Sequence, residues 1–462
     1  MSRLINQEAN YAGSFGAVFR SSAIFFKPTG IKTTISFSNY WKFKNGLNVG
    51  IVITLRNIKG KLISREEVSF QESNVINYEV GGIEQGSVEV EAFSSDNLRI
   101  PYAAIMVIYE SKSGVSMVHS YGRNHSLIEL EDDNAIVEAR ESCWTLRVDE
   151  KTTNKAVFHN GHLEIEPQEA VFVVTRFDGF EKRIEFTLPK IDKFETVVFH
   201  AEELLPSIKD FLGEKDGWGT LHFNSNSSFT RLLIIWENAH TGEVQVTHSN
   251  FDYSSHRTNM VESEKPAFMV LPSVYGEVPN AIVYPKFSKG SYTVNDGSYS
   301  FSGGVVIKGA EKRLAFQRKD GQLPARIVTA ASGKLNEDVS IPFECSLGVV
   351  HEKRPPKRFH WLVISKMLPT VIHLTAYKEI YPCTEGVELV LKLYSDKSNE
   401  VVEKSLSFPT IDELPQELEI EEIFDLSGID SFGYVSIFSH YGGLFFYSSF
   451  RKGNSLTLEH SF

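Results

Sequence analysis

The sequence contains few cysteines, and this scarcity limits the kinds of protein it can encode. Only 3 of its 462 residues are cysteine. Cys143, Cys345 and Cys383 are too few and too widely spaced for a disulfide framework or a zinc site built from paired cysteines. A reducing compartment is the simplest fit. Cys345 and Cys383 are expected to be buried free thiols, with a disulfide between them as the alternative if adjacent strands bring them together.

Long apolar runs are also missing. No stretch of about 18 apolar residues occurs, and the first ten residues lack the continuous apolar segment of a secretory signal. The sequence therefore predicts no membrane span. A cytoplasmic location is the expectation, with export by a route that leaves no N-terminal signature as the alternative.

Positive charge is in deficit, because 47 basic residues face 59 acidic ones and the net charge is -12. An acidic chain has no general attraction for a phosphate backbone, so nucleic acid is not an expected partner. The densest basic run, residues 351–358, is interrupted by two prolines and a glutamate. We interpret it as a solvated loop.

Familiar catalytic and cofactor motifs are absent. The sequence has no Gly-x-Ser-x-Gly elbow and no strand followed by a phosphate-binding loop. No cofactor is predicted, and a non-catalytic function is favoured. A Ser–His pair assembled only in the fold stays open as an alternative, because such pairs are recognised by geometry and not by their order in the chain.

The residues that are abundant favour β-structure. The chain has 33 phenylalanines and 17 tyrosines, and aromatic and β-branched side chains suit pleated, half-buried strands. A chain of 462 residues exceeds what one hydrophobic core usually supports, so about three or four domains are expected.

One phrase recurs three times along the chain, as an Ile-aromatic dipeptide followed by glycine and then by a His-Ser or Tyr-Ser pair. Its copies span residues 108–120, 235–249 and 437–448. We interpret each copy as two strands with alternating apolar residues around a turn that contains glycine. Such repetition indicates that one supersecondary unit is duplicated.

A second repeated pattern is a hairpin. Residues 53–70 align without gaps with residues 391–408, and residues 173–186 are a shorter counterpart with a tight Asp-Gly turn. Two acidic segments, residues 200–212 and 417–424, have the apolar spacing of one or two helical turns. We interpret these segments as crossovers between sheets.

These repeats predict an all-β protein of tandem β-sandwich units, immunoglobulin-like or jelly-roll-like, with short helical crossovers. The expected sandwich units are residues 1–130, 131–262 and 341–462. Residues 263–340 lack the repeated phrase. They are expected to be either a β-rich bridging segment or a degenerate unit.

Polar residues at the ends of the repeated strands are the candidate ligand-binding residues. If the strand ends share a rim, their side chains would offer hydrogen bonds to a carboxylate, a sulfate or a sugar hydroxyl. The alternative, that they only satisfy backbone groups at strand ends, is favoured because tyrosine replaces histidine in the third copy. The candidates are His119, Ser120, Arg123, His125, His248, Ser249, His256, Arg257, Tyr447 and Arg451.

Aromatic residues could form a sugar-stacking platform, and Tyr40, Trp41, Trp218 and Trp236 are the obvious members. Trp218 completes the set of candidate ligand-binding residues, because its flanking glycines suggest a loop that exposes the indole. Trp236 is expected in the core. No metal site is predicted: the segment that contains His159, His162 and Glu164 is interpreted as a hairpin turn, since its Asn-Gly pair accommodates positive φ angles.

The favoured function is a non-catalytic binding, adaptor or assembly protein with a protein partner. One alternative is a protein that binds or modifies carbohydrate in a cleft between units. Another is a structural subunit of a large particle, which would form oligomers. An exposed strand edge or apolar patch would favour protein assembly, and exposed aromatic residues clustered at a cleft would favour a glycan.

Overall fold

The structure is a computed structural model that describes residues 19–70, 72–94, 104–125, 137–138, 142–225, 228, 231–250, 260–262, 265–284, 292–295, 299–301, 304–308, 312–318, 321–324, 328–335, 341–352 and 354–462. These residues form eight four-stranded antiparallel sheets, two two-stranded sheets and a few short helices. The predicted fold class is confirmed: the chain is all-β and consists of tandem β-sandwiches with short helical crossovers.

The first sandwich has eight strands and one helix. They are β1 (Phe19–Lys27), β2 (Lys32–Ser38), α1 (Tyr40–Asn45), β3 (Gly50–Asn57), β4 (Leu62–Val68), β5 (Val75–Glu79), β6 (Gly86–Ser94), β7 (Met106–Glu110) and β8 (Val115–His119). One sheet has the order β1-β6-β3-β4 and the other β5-β2-β7-β8. Ile51, Ile53 and Leu55 alternate along β3 and are buried, which is the pattern of a strand with one face on a core.

The second sandwich follows the same plan. After β9 (Val137–Glu138), its elements are β10 (Cys143–Leu146), β11 (Thr152–His159), β12 (Gln168–Thr175), β13 (Glu181–Leu188), β14 (Thr196–His200), α2 (Ala201–Leu204), α3 (Ile208–Leu212), β15 (Gly217–His222), β16 (Asn224–Ser225), β17 (Leu233–Asn238) and β18 (Val244–His248). The sheets are β10-β15-β12-β13 and β14-β11-β17-β18, while β9 pairs with β16. Helices α2 and α3 lie in the crossover from β14 to β15, as the acidic segment predicts.

The third sandwich lies in the segment without the repeated phrase. Its elements are β19 (Met260–Glu262), β20 (Ala267–Val270), β21 (Asn280–Val283), β22 (Tyr292–Val294), β23 (Tyr299–Phe301), β24 (Val305–Ile307), β25 (Arg313–Arg318), β26 (Gln322–Pro324), β27 (Val328–Gly333) and β28 (Phe343–Gly348). Its sheets are β20-β25-β22-β23 and β24-β21-β27-β28, and β19 pairs with β26. Because β28 completes a sheet of this sandwich, we propose a unit that spans residues 267–348 instead of a boundary at residue 341.

The fourth sandwich contains β29 (Phe359–Ser365), β30 (Thr370–Ala376), β31 (Val387–Tyr394), β32 (Val401–Phe408), the 3-10 turn η1 (Ile411–Glu413), β33 (Glu417–Glu419), α4 (Ile420–Ile423), the 3-10 turn η2 (Leu426–Gly428), β34 (Phe432–Phe438), β35 (Leu444–Lys452) and β36 (Ser455–His460). Its sheets are β29-β34-β31-β32 and β33-β30-β35-β36. Helix α4 lies in the crossover from β33 to β34. No helix in the described part of the chain has both the length and the apolar character needed to cross a lipid bilayer.

All four sandwiches share one topology. Counted within each unit, one sheet has the strand order 1-6-3-4 and the other the order 5-2-7-8. The three predicted hairpins are found as β3–β4, β12–β13 and β31–β32, which are strands three and four of their sandwiches. The same local sequence pattern therefore occupies the same position in three units, as duplication of one unit requires.

The third copy of the repeated phrase differs from the other two. The first two copies form the hairpins β7–β8 and β17–β18, whereas the third falls on β34 and β35, which belong to different sheets. The equivalent hairpin of the fourth sandwich is β35–β36, which ends at His460. Gly442 and Gly443 between two apolar strands imitate a hairpin turn in the sequence, so the prediction of a third hairpin there is wrong.

The last strands of the four sandwiches meet at the centre of the molecule. Strand β8 contacts β18 and β36, and β28 contacts the same two strands. We refer to these four strands as the central junction. Apolar cores also cross between units: the core of the first sandwich includes Leu233 of the second and Tyr434 of the fourth, and that of the third includes Trp218 and Leu456. The sandwiches therefore pack around a common centre instead of forming a string.

Candidate functional site at the central junction

His119 and His248 end β8 and β18, and the fold brings these two candidates together. Their rings are perpendicular with centroids 4.7 Å apart, and the residues are 7% and 3% exposed. In the sequence each histidine is followed by a serine, Ser120 or Ser249. The Oγ of Ser249 accepts a hydrogen bond from Leu232 N–H at 2.8 Å. These histidines lie inside the molecule, not on an open rim.

A third His-Ser pair, at residues 460 and 461, joins this cluster. Nδ1 of His460 lies 3.0 Å from the Ser461 carbonyl oxygen, and Nδ1 of His248 lies 2.9 Å from that of Ser249. A carbonyl oxygen only accepts, so both Nδ1 atoms carry the proton and both Nε2 atoms keep a lone pair. The sequence analysis missed His460, although the repeated dipeptide at residues 460–461 was a signal that could have found it.

Glu459 supplies a buried carboxylate to the same cluster. Its Oε1 lies 3.1 Å from Nδ1 of His119 and 3.6 Å from Nε2 of His460. Burial favours a raised pKa for Glu459, but interactions with His119 and His460 outweigh burial, so the pKa lies below its usual value. The carboxylate is therefore ionised at neutral pH.

The two histidines with fixed tautomers are neutral at pH 7. Burial lowers the pKa of His460 to about 4, with a further contribution from His119. Burial, Arg231 and His119 lower the pKa of His248 as well. A neutral imidazole with a free Nε2 lone pair can accept a hydrogen bond or coordinate a metal ion, but it cannot donate from that atom.

A polar network next to the histidines fixes three sandwiches relative to one another. Ser116 of the first sandwich donates from Oγ to Oε1 of Gln245 at 3.2 Å. Nε2 of Gln245 donates to Oγ of Ser455 at 3.0 Å and to the Leu456 carbonyl at 3.2 Å. Gln245 therefore bonds to the first and fourth sandwiches at once.

The remaining strand-end candidates have different surroundings. Arg123 and His125 follow β8 beside Asn124, whose backbone N–H donates to Oγ of Ser22 at 3.2 Å. Tyr447 is buried on β35 opposite His460. Arg451 is exposed, and its Nε donates to the Gly453 carbonyl at 3.1 Å. His256 and Arg257 lie outside the described residues.

Trp218 occupies a different environment from the expected exposed loop. It lies in β15 and is 1% exposed. Its flanking glycines allow close packing: a Cβ on Gly217 would lie 2.4 Å from Cδ2 of Leu212, and one on Gly219 would lie 3.0 Å from the ring of Trp144. The prediction of an exposed indole is wrong, because steric crowding and not loop formation requires glycine here.

The other proposed platform residues are also interior. Tyr40 and Trp41 lie in α1 and are buried, and Tyr40 stacks on Trp361 with ring centroids 5.3 Å apart. Trp236 is buried, as expected. The chain has 5 tryptophans, and every one of them is buried. No indole ring is therefore presented for stacking on a sugar.

Residues 159–164 connect two sheets and are not a hairpin turn, because β11 and β12 belong to different sheets. Nε2 of His159 lies 2.7 Å from the Tyr121 hydroxyl, and Nδ1 lies 2.9 Å from Oγ1 of Thr196. Both ring nitrogens are thus occupied by hydrogen bonds that include a contact with the first sandwich. The three cysteines are free thiols, with Cys143 and Cys345 buried and Cys383 half-buried.

A Ser–His–Glu arrangement occurs on the face of the β33-β30-β35 strands. Nε2 of His373 lies 2.8 Å from Oγ of Ser449, and its Nδ1 lies 3.3 Å from Oε1 of Glu417. However, Ser449 and His373 are fully buried, and Tyr275 of the third sandwich packs over His373 with ring centroids 5.9 Å apart. A nucleophile must contact its substrate, so this arrangement is closed to catalysis in the described conformation.

A surface cleft of about 460 Å³ lies between the third and fourth sandwiches. Tyr275, Glu419, Glu421 and Arg451 are among its lining residues. Its lining contains acidic and basic side chains but only one aromatic ring. Ser449 is not among the residues that line the cleft.

Comparison with known proteins adds no family. No protein-family model matches the chain, and no curated protein matches it. Among solved structures, two B repeat units of the collagen-binding protein of Staphylococcus aureus align over 96% of this chain and 99% of theirs, at 8% identity and a TM-score of 0.10. So low a score carries no argument, and the architecture rests on the strand pairing itself.

Proposed function

We propose that this chain is a non-catalytic assembly protein that binds other protein chains, including further copies of itself, through its outer strand edges. Strands β4, β13 and β32 are the fourth strands of their sandwiches. In the described part of the chain each pairs on one side only. An edge strand offers unpaired backbone N–H and C=O groups to a strand from another chain.

Exposed apolar side chains at these edges carry the proposal. Large apolar residues are exposed where strands three and four meet in three sandwiches. They are Leu62, Ile63, Phe177, Phe180, Val401 and Val402. Phe180 is 64% exposed, which is unusual for a phenylalanine without a partner surface. Repetition of exposed apolar groups at one topological position is typical of an interaction surface.

Charges on the same strands favour ordered pairing. Strand β32 carries Glu403 beside Lys404, and β13 carries Glu181 beside Lys182, all of them exposed. In an antiparallel pair of edges, residues of opposite sign can face each other, whereas a shifted register places like charges together. The edges therefore carry groups that select a register and oppose unspecific aggregation.

A protein partner fits the surface better than a glycan does. All tryptophans are interior, and the surface cleft offers a single tyrosine ring. An aromatic ring stacks on a sugar only where its face is exposed beside polar groups. The buried Ser449 likewise gives no support to an enzymatic function.

Sedimentation velocity over about a hundredfold range of protein concentration tests the proposal. The wild-type chain is expected to form dimers or larger species as concentration rises. Val402→Glu places a charge in an exposed apolar position of β32 and should weaken this association by about tenfold or more. Ser405→Glu adds the same charge at an exposed polar position of the same strand and is the matched control. A wild-type chain that stays monomeric at every concentration would contradict the proposal.

A further inference from the structure

We propose that His119, Glu459 and His460 form a binding site for a divalent transition-metal ion that fastens the first sandwich to the fourth. One donor atom from each of the three side chains lies within 4.8 Å of the other two. Two imidazoles and one carboxylate are a ligand set that zinc and ferrous iron accept. The site is independent of the outer edges.

The donor spacing is close to that of a coordinated ion. Tetrahedral zinc with bonds of about 2.0–2.1 Å holds its ligand atoms about 3.3 Å apart. Oε1 of Glu459 lies 3.1 Å from Nδ1 of His119 and 3.6 Å from Nε2 of His460. Because the whole set spans no more than 4.8 Å, closing the widest pair requires a shift of about 1.5 Å. The His460 side chain is one-third exposed and ends its strand, so it has room for that shift.

The hydrogen bonds around the site orient its ligands as metal sites do. His460 donates Nδ1–H to the Ser461 carbonyl at 3.0 Å, so the lone pair of its Nε2 faces the carboxylate. Metal-binding histidines usually donate their other ring N–H to such an acceptor.

At His119, the ion would lie between Nδ1 and Oε1 of Glu459, which are 3.1 Å apart. His248 of the second sandwich packs against His119, with ring centroids 4.7 Å apart. The ligands come from positions 340 residues apart, so the ion would close a very long loop and stabilise the folded chain. This arrangement indicates a structural ion.

The test uses the full chain, freed of metal by a chelator and then dialysed against zinc. Wild-type protein should bind about one equivalent by elemental analysis and melt at a higher temperature than the metal-free protein. Cobalt(II) in place of zinc should give visible absorption bands. Glu459→Gln keeps a group that can bond to His119 but removes the anionic ligand, and His460→Asn removes the imidazole ligand of the fourth sandwich. Both variants should bind zinc at least about tenfold more weakly.

His240→Ala is the matched control, because His240 is exposed on the turn between β17 and β18 and any surface binding of zinc would involve such residues. It should retain the full equivalent. Circular dichroism of the metal-free variants establishes that they fold. If Glu459→Gln does not fold, His460→Asn serves as the ligand variant. Less than about a tenth of an equivalent on the wild-type chain, or equal binding by a folded ligand variant and the wild type, overturns the site.

Discussion

The imidazole rings of His119 and His460, which end the last strands of the first and fourth sandwiches, lie with their centroids 4.6 Å apart. His248 holds the equivalent position in the second sandwich and lies 4.7 Å from His119. In the third sandwich, Gly348 takes this place opposite Val328. The repeated histidine therefore marks the strand end at which three units converge.

Gln245 should contribute strongly to stability, because it is buried and bonds to two neighbouring sandwiches. Gln245→Ala removes the buried hydrogen bonds of this side chain to Ser116, Ser455 and the Leu456 carbonyl, so the free energy of unfolding should fall by about 2 kcal/mol. Gln168 bonds to the backbone of Asn224 in an exposed position, and Gln168→Ala should cost less than about 0.5 kcal/mol. Urea denaturation measures both. Equal effects of the two substitutions would show that Gln245 does not form buried hydrogen bonds to the first and fourth sandwiches.

Replacing Gly217 should destabilise the protein, although nothing in its position at the start of β15 requires glycine. A Cβ at this position would lie 2.4 Å from Cδ2 of Leu212 and 2.7 Å from the Thr175 carbonyl oxygen. Gly217→Ala should therefore lower the free energy of unfolding by about 1–3 kcal/mol. Gly50 also begins a strand but has open space around it, so Gly50→Ala should be neutral or slightly stabilising. Thermal unfolding distinguishes the two, and a neutral Gly217→Ala would refute the close packing of Gly217 against Leu212 and Thr175.

The interface between the first two sandwiches should weaken in acid. Burial lowers the pKa of His159 to about 3, from a usual value of 6.5. The unfolded chain therefore binds a proton that the folded chain excludes, and stability is lost as the pH falls below 6.5. Between pH 7 and pH 5 the loss from this residue should be about 2 kcal/mol.

Urea denaturation at both pH values, with His159→Gln beside the wild type, measures this effect. The variant should lose about 2 kcal/mol less than the wild type between pH 7 and pH 5. His240→Gln, at an exposed histidine, should behave like the wild type. If His159→Gln shows the same pH dependence as the wild type, His159 is not buried in its neutral form.

Arg147 should couple the second and third sandwiches through a buried ion pair. Its guanidinium lies 2.8 Å from Asp216 and 3.2 Å from Glu344. Arg147→Met leaves the Glu344 carboxylate without its cation and should cost about 3 kcal/mol, and adding Glu344→Gln should restore at least about 1 kcal/mol. The half-exposed pair of Arg176 and Asp178 is the control, since Arg176→Met should cost under about 0.5 kcal/mol. A double variant no more stable than Arg147→Met would exclude the coupling.

Local pattern predicted the strands well. Apolar alternation in residues 53–70 and 391–408 indicated β3–β4 and β31–β32, since each hairpin is defined by neighbours in the chain. Alternation does not specify which sheet a strand joins, and this is why the phrase at residues 437–448 was assigned to one hairpin although β34 and β35 lie in different sheets. In the third sandwich several strands have only three or four residues, too short to show a period.

The candidate site was predictable only in part. The repetition of His119 and His248 identified two members of the cluster, because duplication places equivalent residues at equivalent strand ends. The His-Ser dipeptide at residues 460–461 also pointed to His460, but the contact of Glu459 with His119 depends on how the fourth sandwich packs against the first, which the local sequence does not encode. Trp218 failed as a candidate for a similar reason: flanking glycines occur both in loops and where strands pack too closely for a Cβ.

The measurement that tests the central claim most directly is small-angle X-ray scattering of the purified monomer. The claim is that four sandwiches close around β8, β18, β28 and β36. A compact chain of 462 residues should have a radius of gyration of about 23 Å. Four sandwiches strung end to end would give a value above about 35 Å, and that result would contradict the central junction and the metal site placed within it.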